Sequence, residues 1–183
     1  MVSLTTPAGQ LGWPAAPFDL PGTDGRRHTL ESVRGARGTV VMFICNHCPY
    51  VKAVVAKIVR DMTELRPHGV GSIAVMSNDP AAYPEDSFDN MKAFAAQHGF
   101  TFPYALDGTQ AVARVYGAVC TPDFFGFDRD LRLAYRGRLD ASGRSTDPAA
   151  ARELFDAMLS VARTGSAPGV QHPSVGCSIK WKP

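Results

Sequence analysis

The stretch TVVMFICNHCPYVKAVVAKIVRDM, residues 39–62, decides how this chain is read. Thr39 to Cys45 is a short, nearly continuous apolar run preceded by Gly38, as expected of a strand buried on both faces of a sheet. After Asn46 the period changes: Val51, Val54, Val55, Ile58, Val59 and Met62 recur at spacings of three and four, which predicts an amphipathic helix to about Leu65, with Pro49 in its first turn. Cys45 and Cys48 sit at the junction of the two, with His47 between them.

The same reading extends outward. Residues 71–78 predict a second buried strand, 83–99 a helix with acidic residues in its first turn and Gly99 at its end, and 102–106 a third strand. A short helix is expected over 109–117, then an antiparallel hairpin from 120–128 and 131–139, joined by the charged turn Asp128 to Asp130. A last helix over 147–165 keeps Ala151, Leu154, Phe155, Met158, Leu159 and Ala162 on one face. Toward the N-terminus, 18–30 predicts two short elements around a Gly-rich turn. Pro7, Pro14 and Pro17 make residues 1–17 an arm with no regular element, and residues 164–183 read as a Pro/Gly-rich tail. The order implies an α/β fold: a central mixed β-sheet flanked by helices, with an N-terminal extension and a C-terminal tail, as one domain over 1–183.

Composition bounds the function. A chain of 183 residues, 45% hydrophobic and 20% charged, buries a full core without disulfide staples. The net charge of +2 is small, and Arg26, Arg27, Arg34 and Arg37 form no aromatic-interleaved stripe, so nucleic acid is not expected as a partner. No apolar run approaches the roughly 18 residues of a membrane span or has the pattern of a signal peptide, so a cytoplasmic chain is expected. In such a compartment Cys45, Cys48, Cys120 and Cys177 are expected to be thiols, catalytic or metal-bound.

A CxxC in a βαβ setting carries redox chemistry. Cys45 is expected at the helix N-terminus, where unpaired N–H groups favour a thiolate, and is read as the nucleophile. Cys48, one turn on and more buried, is read as the resolving thiol, and His47 as a group that stabilises the thiolate. A zinc site of Cys45, His47, Cys48 and Cys177 lacks the second closely spaced ligand pair such sites use, so no metal is expected. Dithiol exchange requires no cofactor.

The residues also carry a family resemblance over about 12–163. PAAPFDLPGTDG, TLESVRG, VVMFICNHCPYV, FPYALDGTQAVARVYG and CTPDFFGFD together resemble the thioredoxin-fold superfamily, in particular the peroxiredoxin-like branch related to alkyl hydroperoxide reductase/thiol-specific antioxidant proteins and the cytochrome-maturation thioredoxins. The resemblance implies a thioredoxin-like fold, a cis peptide before Pro122, and Thr121 and Pro122 beside the cysteines, where the backbone pairs with an extended substrate. CNHC is similar to disulfide isomerase and disulfide oxidase motifs in having His before the second cysteine. Ile44 stands where thioredoxin has tryptophan, and Thr39 where it has a buried acid. A peroxidatic cysteine would align with Cys48, but Cys45 and Val41 replace the Thr/Ser and Pro that precede it in peroxiredoxins, and the peroxide-activating arginine would fall near Pro122. The tail HPSVGCSIKWKP resembles the ending of peroxiredoxin-like proteins with C-x-x-C-P-Y motifs, which makes Cys177 a possible resolving thiol. Cys120 is a second possibility, or a small buried core residue.

The expected activity is that of a thiol-disulfide oxidoreductase, exchanging the Cys45–Cys48 pair with disulfides of a protein or small thiol, and drawing electrons from an external thiol system. The alternatives are a thiol peroxidase acting on hydroperoxides and a redox-silent binding module. Asn78, Asp79, Arg138 and Asp140 are expected at strand ends or turns, in ordinary capping roles or lining the groove beside the cysteines, and the chain is expected as a monomer or homodimer.

Overall fold

The computed structural model describes residues 3–145, 147–167 and 169–183. The first two residues of the N-terminal arm, Thr146, and Pro168 of the tail lie outside them.

The predicted core strand forms as β4, Gly38–Phe43, following β1 (Ser3–Thr5), β2 (Asp19–Pro21), β3 (Arg27–Thr29) and the short helix α1 (Leu30–Val33). Every residue of β4 is buried, because it runs parallel to β5 (Val70–Met76) on one side and antiparallel to β8 (Asp123–Asp128) on the other. With β6 (Tyr104–Leu106) and β9 (Leu133–Gly137) they make a five-stranded mixed sheet in the order β6-β5-β4-β8-β9.

Alternation along β4 divides the core in two. Val40, Met42 and Ile44 pack under α2 (Pro49–Leu65), α3 (Phe88–Gln97) and α5 (Glu153–Thr164). Val41 and Phe43 face α1 and α4 (Ala111–Tyr116). The side chain of the N-cap residue, Cys48, makes no capping hydrogen bond to α2, so packing holds the helix. Burying Val51, Val54, Val55, Ile58, Met62 and Leu65 is worth about 1.5–3 kcal/mol per side chain, which outweighs the ~1 kcal/mol of a typical cap.

Three expectations are corrected. The helix after the CxxC begins at Pro49 and not at Asn46, because the chain bends at Asn46 and His47 and Cys48, the N-cap residue, is extended (φ −65°, ψ 122°). The predicted helix over 83–99 is a 3₁₀ turn (Pro84–Asp86) followed by α3, broken at Ser87, whose hydroxyl caps Asn90 N–H. The arm and the tail are not irregular throughout. β1 pairs antiparallel with β10 (Val175–Ser178), which pairs in turn with β7 (Cys120–Thr121), forming a separate three-stranded sheet beside the CxxC.

Candidate functional site

The site is built where three pieces of chain meet: the turn from β4 into α2, the bend between β7 and β8, and the tail strand β10. The Thr121–Pro122 peptide is cis, as the resemblance implied. Cys48 Sγ lies 3.1 Å from the Thr121 carbonyl oxygen and 2.9 Å from Cys177 Sγ, while Cys45 Sγ lies 3.4 Å from the Thr121 hydroxyl. All three sulfurs belong to buried residues.

The electrostatics distinguish the two CxxC thiols. A hydrogen bond from Cys45 stabilises the Cys48 thiolate; burial opposes it, and Cys177, Thr121 and the Val51 amide add to it, so the Cys48 pKa falls to about 5. The reciprocal bond to Cys48, together with burial and the Asp86 charge, pushes the Cys45 thiol well above its ordinary value. The negative charge is therefore favoured on Cys48, the reverse of the sequence expectation. The physical reason is the hydrogen bond between the two sulfurs, in which Cys45 is the donor, with smaller help to Cys48 from Cys177, Thr121 and the Val51 amide. As a thiol, Cys48 donates its proton to the Thr121 carbonyl; as a thiolate it gives up that bond and accepts from its neighbours.

His47 turns away from this cluster toward Asp86. Its Nδ1 lies 2.7 Å from Asp86 Oδ2 and 4.0 Å from Cys45 Sγ, and its ring stacks on Tyr83 with centroids 5.5 Å apart. The Asp86 hydrogen bond raises the His47 pKa against the effect of burial, which favours an imidazolium. Asp86 is fully buried and also accepts from the Asn46 and His47 amides (2.8 and 3.3 Å) and from Asn78 Nδ2 (2.7 Å). Asn46 is fixed from its other side by Tyr104, whose hydroxyl donates to Asn46 Oδ1 over 3.0 Å. One buried carboxylate thus orients the whole turn that carries the cysteines.

Ligand atoms of Cys45, His47 and Asp86 lie within 4.8 Å of one another, which is compact enough for a cation. A metal there would have to draw Asp86 away from the donors that already occupy both of its oxygens.

The sequence model of the AhpC/TSA family matches residues 11–136. The chain belongs to the AhpC/TSA family. A solved structure described as an uncharacterized conserved protein from Geobacillus kaustophilus is 45% identical with a TM-score of 0.95, the match covering 100% of this chain and 98% of that one. A hypothetical protein, SMc02350 from Sinorhizobium meliloti 1021, is 34% identical with a TM-score of 0.92, covering 97% and 98%. Peroxidoxin BcpB from Mycobacterium tuberculosis, 18% identical with a TM-score of 0.62 over 84% of this chain and 96% of that one, shares the thioredoxin-like fold. No curated protein matches the chain.

Within this AhpC/TSA-family chain, the other expected site residues have distinct places. The Thr121 backbone, expected to receive an extended substrate, is paired with Cys177 of the chain's own tail. Gly176 is what permits the approach, since a Cβ there would overlap the Thr121 carbonyl oxygen. Cys120 is buried with its sulfur 3.9 Å from the Pro122 carbonyl oxygen, and burial pushes its thiol far up. Arg138 and Asp140 line a small cleft of about 90 Å³ with Pro122, Tyr50 and Val175. There Arg138 pairs with Glu153 at 2.7 Å and Asp140 with Lys57 at 2.8 Å. Asn78 supports the site through Asp86 and by accepting from Lys180 N–H at 2.9 Å, and the Asp79 amide donates to the Lys180 carbonyl.

Asp86 and Tyr83 escaped the sequence reading. YPED carries the ordinary pattern of a helix start, and an acid there is expected to face the helix dipole in solvent. The only local signal was Pro84 after an aromatic residue, which marks a turn without saying what the acid reaches.

Proposed function

We propose that this AhpC/TSA-family protein is a thiol-disulfide oxidoreductase working through Cys45 and Cys48. The observation that carries the reading is the position of Cys48 Sγ, a buried thiol at a helix start whose anion is stabilised by neighbouring donors beside a cis-proline bend. The Cys48 thiolate attacks one sulfur of a substrate disulfide, and the other sulfur leaves as a thiolate. Cys45 then gives up its proton and attacks Cys48 Sγ, which releases the second substrate thiol and leaves Cys45–Cys48 oxidised. An external thiol returns the pair to the dithiol, in keeping with a reducing compartment. His47, held by Asp86, positions the loop that carries both sulfurs.

The burial of both cysteines favours a second reading, a thiol peroxidase, because a hydroperoxide is small enough to reach a closed site. Against it, Cys45 and Val41 stand where the peroxiredoxin resemblance expects Thr/Ser and Pro, and Pro122 lies near the position of the peroxide-activating arginine.

Turnover of oxidised glutathione and of insulin, coupled to a chemical dithiol, tests the proposal with Cys48→Ser as control. Loss of activity in the variant is expected; equal activity in both proteins refutes the reading. Stopped-flow oxidation by hydrogen peroxide decides the second reading, which falls if the rate matches that of a simple thiol.

A further inference from the structure

Cys48 touches two other sulfurs, and only one of them belongs to the CxxC. Cys177 is 129 residues away in sequence, yet its Sγ lies 2.9 Å from Cys48 Sγ, so a disulfide bond of about 2.05 Å needs a movement of only about 1 Å. The strand that carries it is fixed. β10 is paired on one edge with β1 and on the other with β7, and beyond it the chain is fastened by Ile179 N–H to the Val119 carbonyl, Lys180 N–H to Asn78 and Lys182 N–H to Gln110. The tail thus holds its cysteine where an extended substrate would otherwise lie against Thr121, in antiparallel register with that residue.

Resting on the proposed dithiol exchange, we propose that Cys48 Sγ is the shared atom of two alternative intrachain disulfides, Cys45–Cys48 and Cys48–Cys177, so that the site is a three-thiol relay. In the step between them, the Cys177 thiol loses its proton and its sulfur forms a bond to Cys48 Sγ. The Cys45–Cys48 bond breaks, and Cys45 leaves as a thiolate that takes up the proton. One disulfide and one thiol exist before and after, so the step needs no oxidant. Burial, and after it the hydrogen bond to Cys48 and the Cys48 charge, raise the Cys177 thiol in the reduced chain; the charge is absent once Cys48 is in a disulfide, which lowers the barrier to this attack. The consequence is a second resolving thiol for any mixed disulfide formed at Cys48, reached from the tail side and not from the helix side.

Trypsin separates the candidates, because Cys45 and Cys48 share peptide 38–52 whereas Cys177 lies in 164–180. The full chain is oxidised with one equivalent of oxidised glutathione, which accepts the two electrons and becomes two thiols. Acid quenching and blocking with N-ethylmaleimide precede digestion without reductant. In Cys45→Ser, peptide 38–52 linked to 164–180 is expected to account for most of the thiol lost; in Cys48→Ser the linked peptide is expected to fall to background. In the unsubstituted chain it is expected beside the internal Cys45–Cys48 form, a measurement that depends on no variant folding. Oxidation of Cys45→Ser without the linked peptide overturns the relay, as does an undiminished yield in Cys48→Ser. If the linked peptide forms but the chain turns over no disulfide, the relay stands and the proposed activity falls. If turnover depends on Cys48 and no linked peptide forms, the activity stands and the relay falls.

Discussion

Replacing Asp86 by Asn tests whether one buried carboxylate sets the geometry of the CxxC turn. Both Asp86 oxygens are acceptors: Oδ1 for the Asn46 and His47 amides, Oδ2 for His47 Nδ1 and Asn78 Nδ2. An amide has one acceptor oxygen, so in Asp86→Asn its NH₂ must face two donors. His47 relieves one conflict by losing a proton and accepting at Nδ1. Asn78 cannot relieve the other by flipping, because its Oδ1 already accepts from Lys180 N–H. An unsatisfied buried donor costs about 1–3 kcal/mol, and the lost charge-assisted bond adds to it, for a total of about 2–4 kcal/mol. In a chain of this size each kcal/mol lowers Tm by about 2–4 °C, so the variant is expected to melt roughly 5–15 °C lower near pH 5.5.

The same substitution has a pH signature. Burial pushes the Asp86 carboxyl up, but the His47 and Asn78 hydrogen bonds, the His47 charge and the Asn46 amide overcome it, leaving the group below 3.8. Its stabilisation is present above that unfolded value and is lost as pH falls through the folded one. Asp86 raises His47 above 6.5 against burial, so this contribution is complete below 6.5 and is lost as pH rises through the raised value. The advantage of the native chain over Asp86→Asn is therefore expected to be largest between about pH 4 and 6.5. Thermal unfolding from pH 4 to 9 measures it, and NMR titration of the His47 ring reports whether its midpoint drops in the variant. A Tm loss under about 2 °C near pH 5.5, or an unchanged His47 midpoint, refutes the reasoning.

Two further perturbations address the sulfurs and the tail. Absorbance at 240 nm is expected to show one thiolate forming near pH 5 in the native chain, absent in Cys48→Ser and shifted upward in Cys45→Ala, which lacks the principal donor to Cys48; a native chain with no thiolate step below pH 7 contradicts the assignment. Gly176→Ala forces a Cβ into the Thr121 carbonyl and so pushes β10 off β7, at a cost of about 1–3 kcal/mol. Modification of the native thiols by iodoacetamide is expected to quicken by about tenfold or more, as an opening that costs over 1.4 kcal/mol is relieved. An unchanged rate means that the tail strand does not close the site.

The parts of the molecule that were legible in the sequence share a physical property: their signal is periodic or local. β4 and α2 announce themselves through Val40 to Ile44 and the Val51 to Met62 stripe, since strands and helices buried on one or both faces must place apolar residues at the period of the element. The expectation that the charge falls on Cys45 drew on the same source. An apolar period locates the body of a helix, but its first residue is set by Pro49 at the N-terminal position, and which sulfur holds the charge is set by a hydrogen bond between the two thiols that no period reports. β1 and β10 were missed for the converse reason. Ser3, Leu4 and Thr5 are all exposed, and Val175 and Gly176 offer no alternating pattern, so these strands exist through backbone pairing and leave no hydrophobic imprint. Asp86 meets Asn46 and His47 across some 40 residues, and Cys177 meets Cys48 across 129; neither separation has a period. What closes the site is long-range pairing between polar or sulfur atoms, each of which looks alone like an ordinary cap or a tail cysteine. The surroundings of the two CxxC sulfurs therefore follow from the fold of the tail and the 3₁₀ turn as much as from the CxxC, and substitutions at Gly176 or Asp86 are expected to alter the thiol chemistry without touching either cysteine.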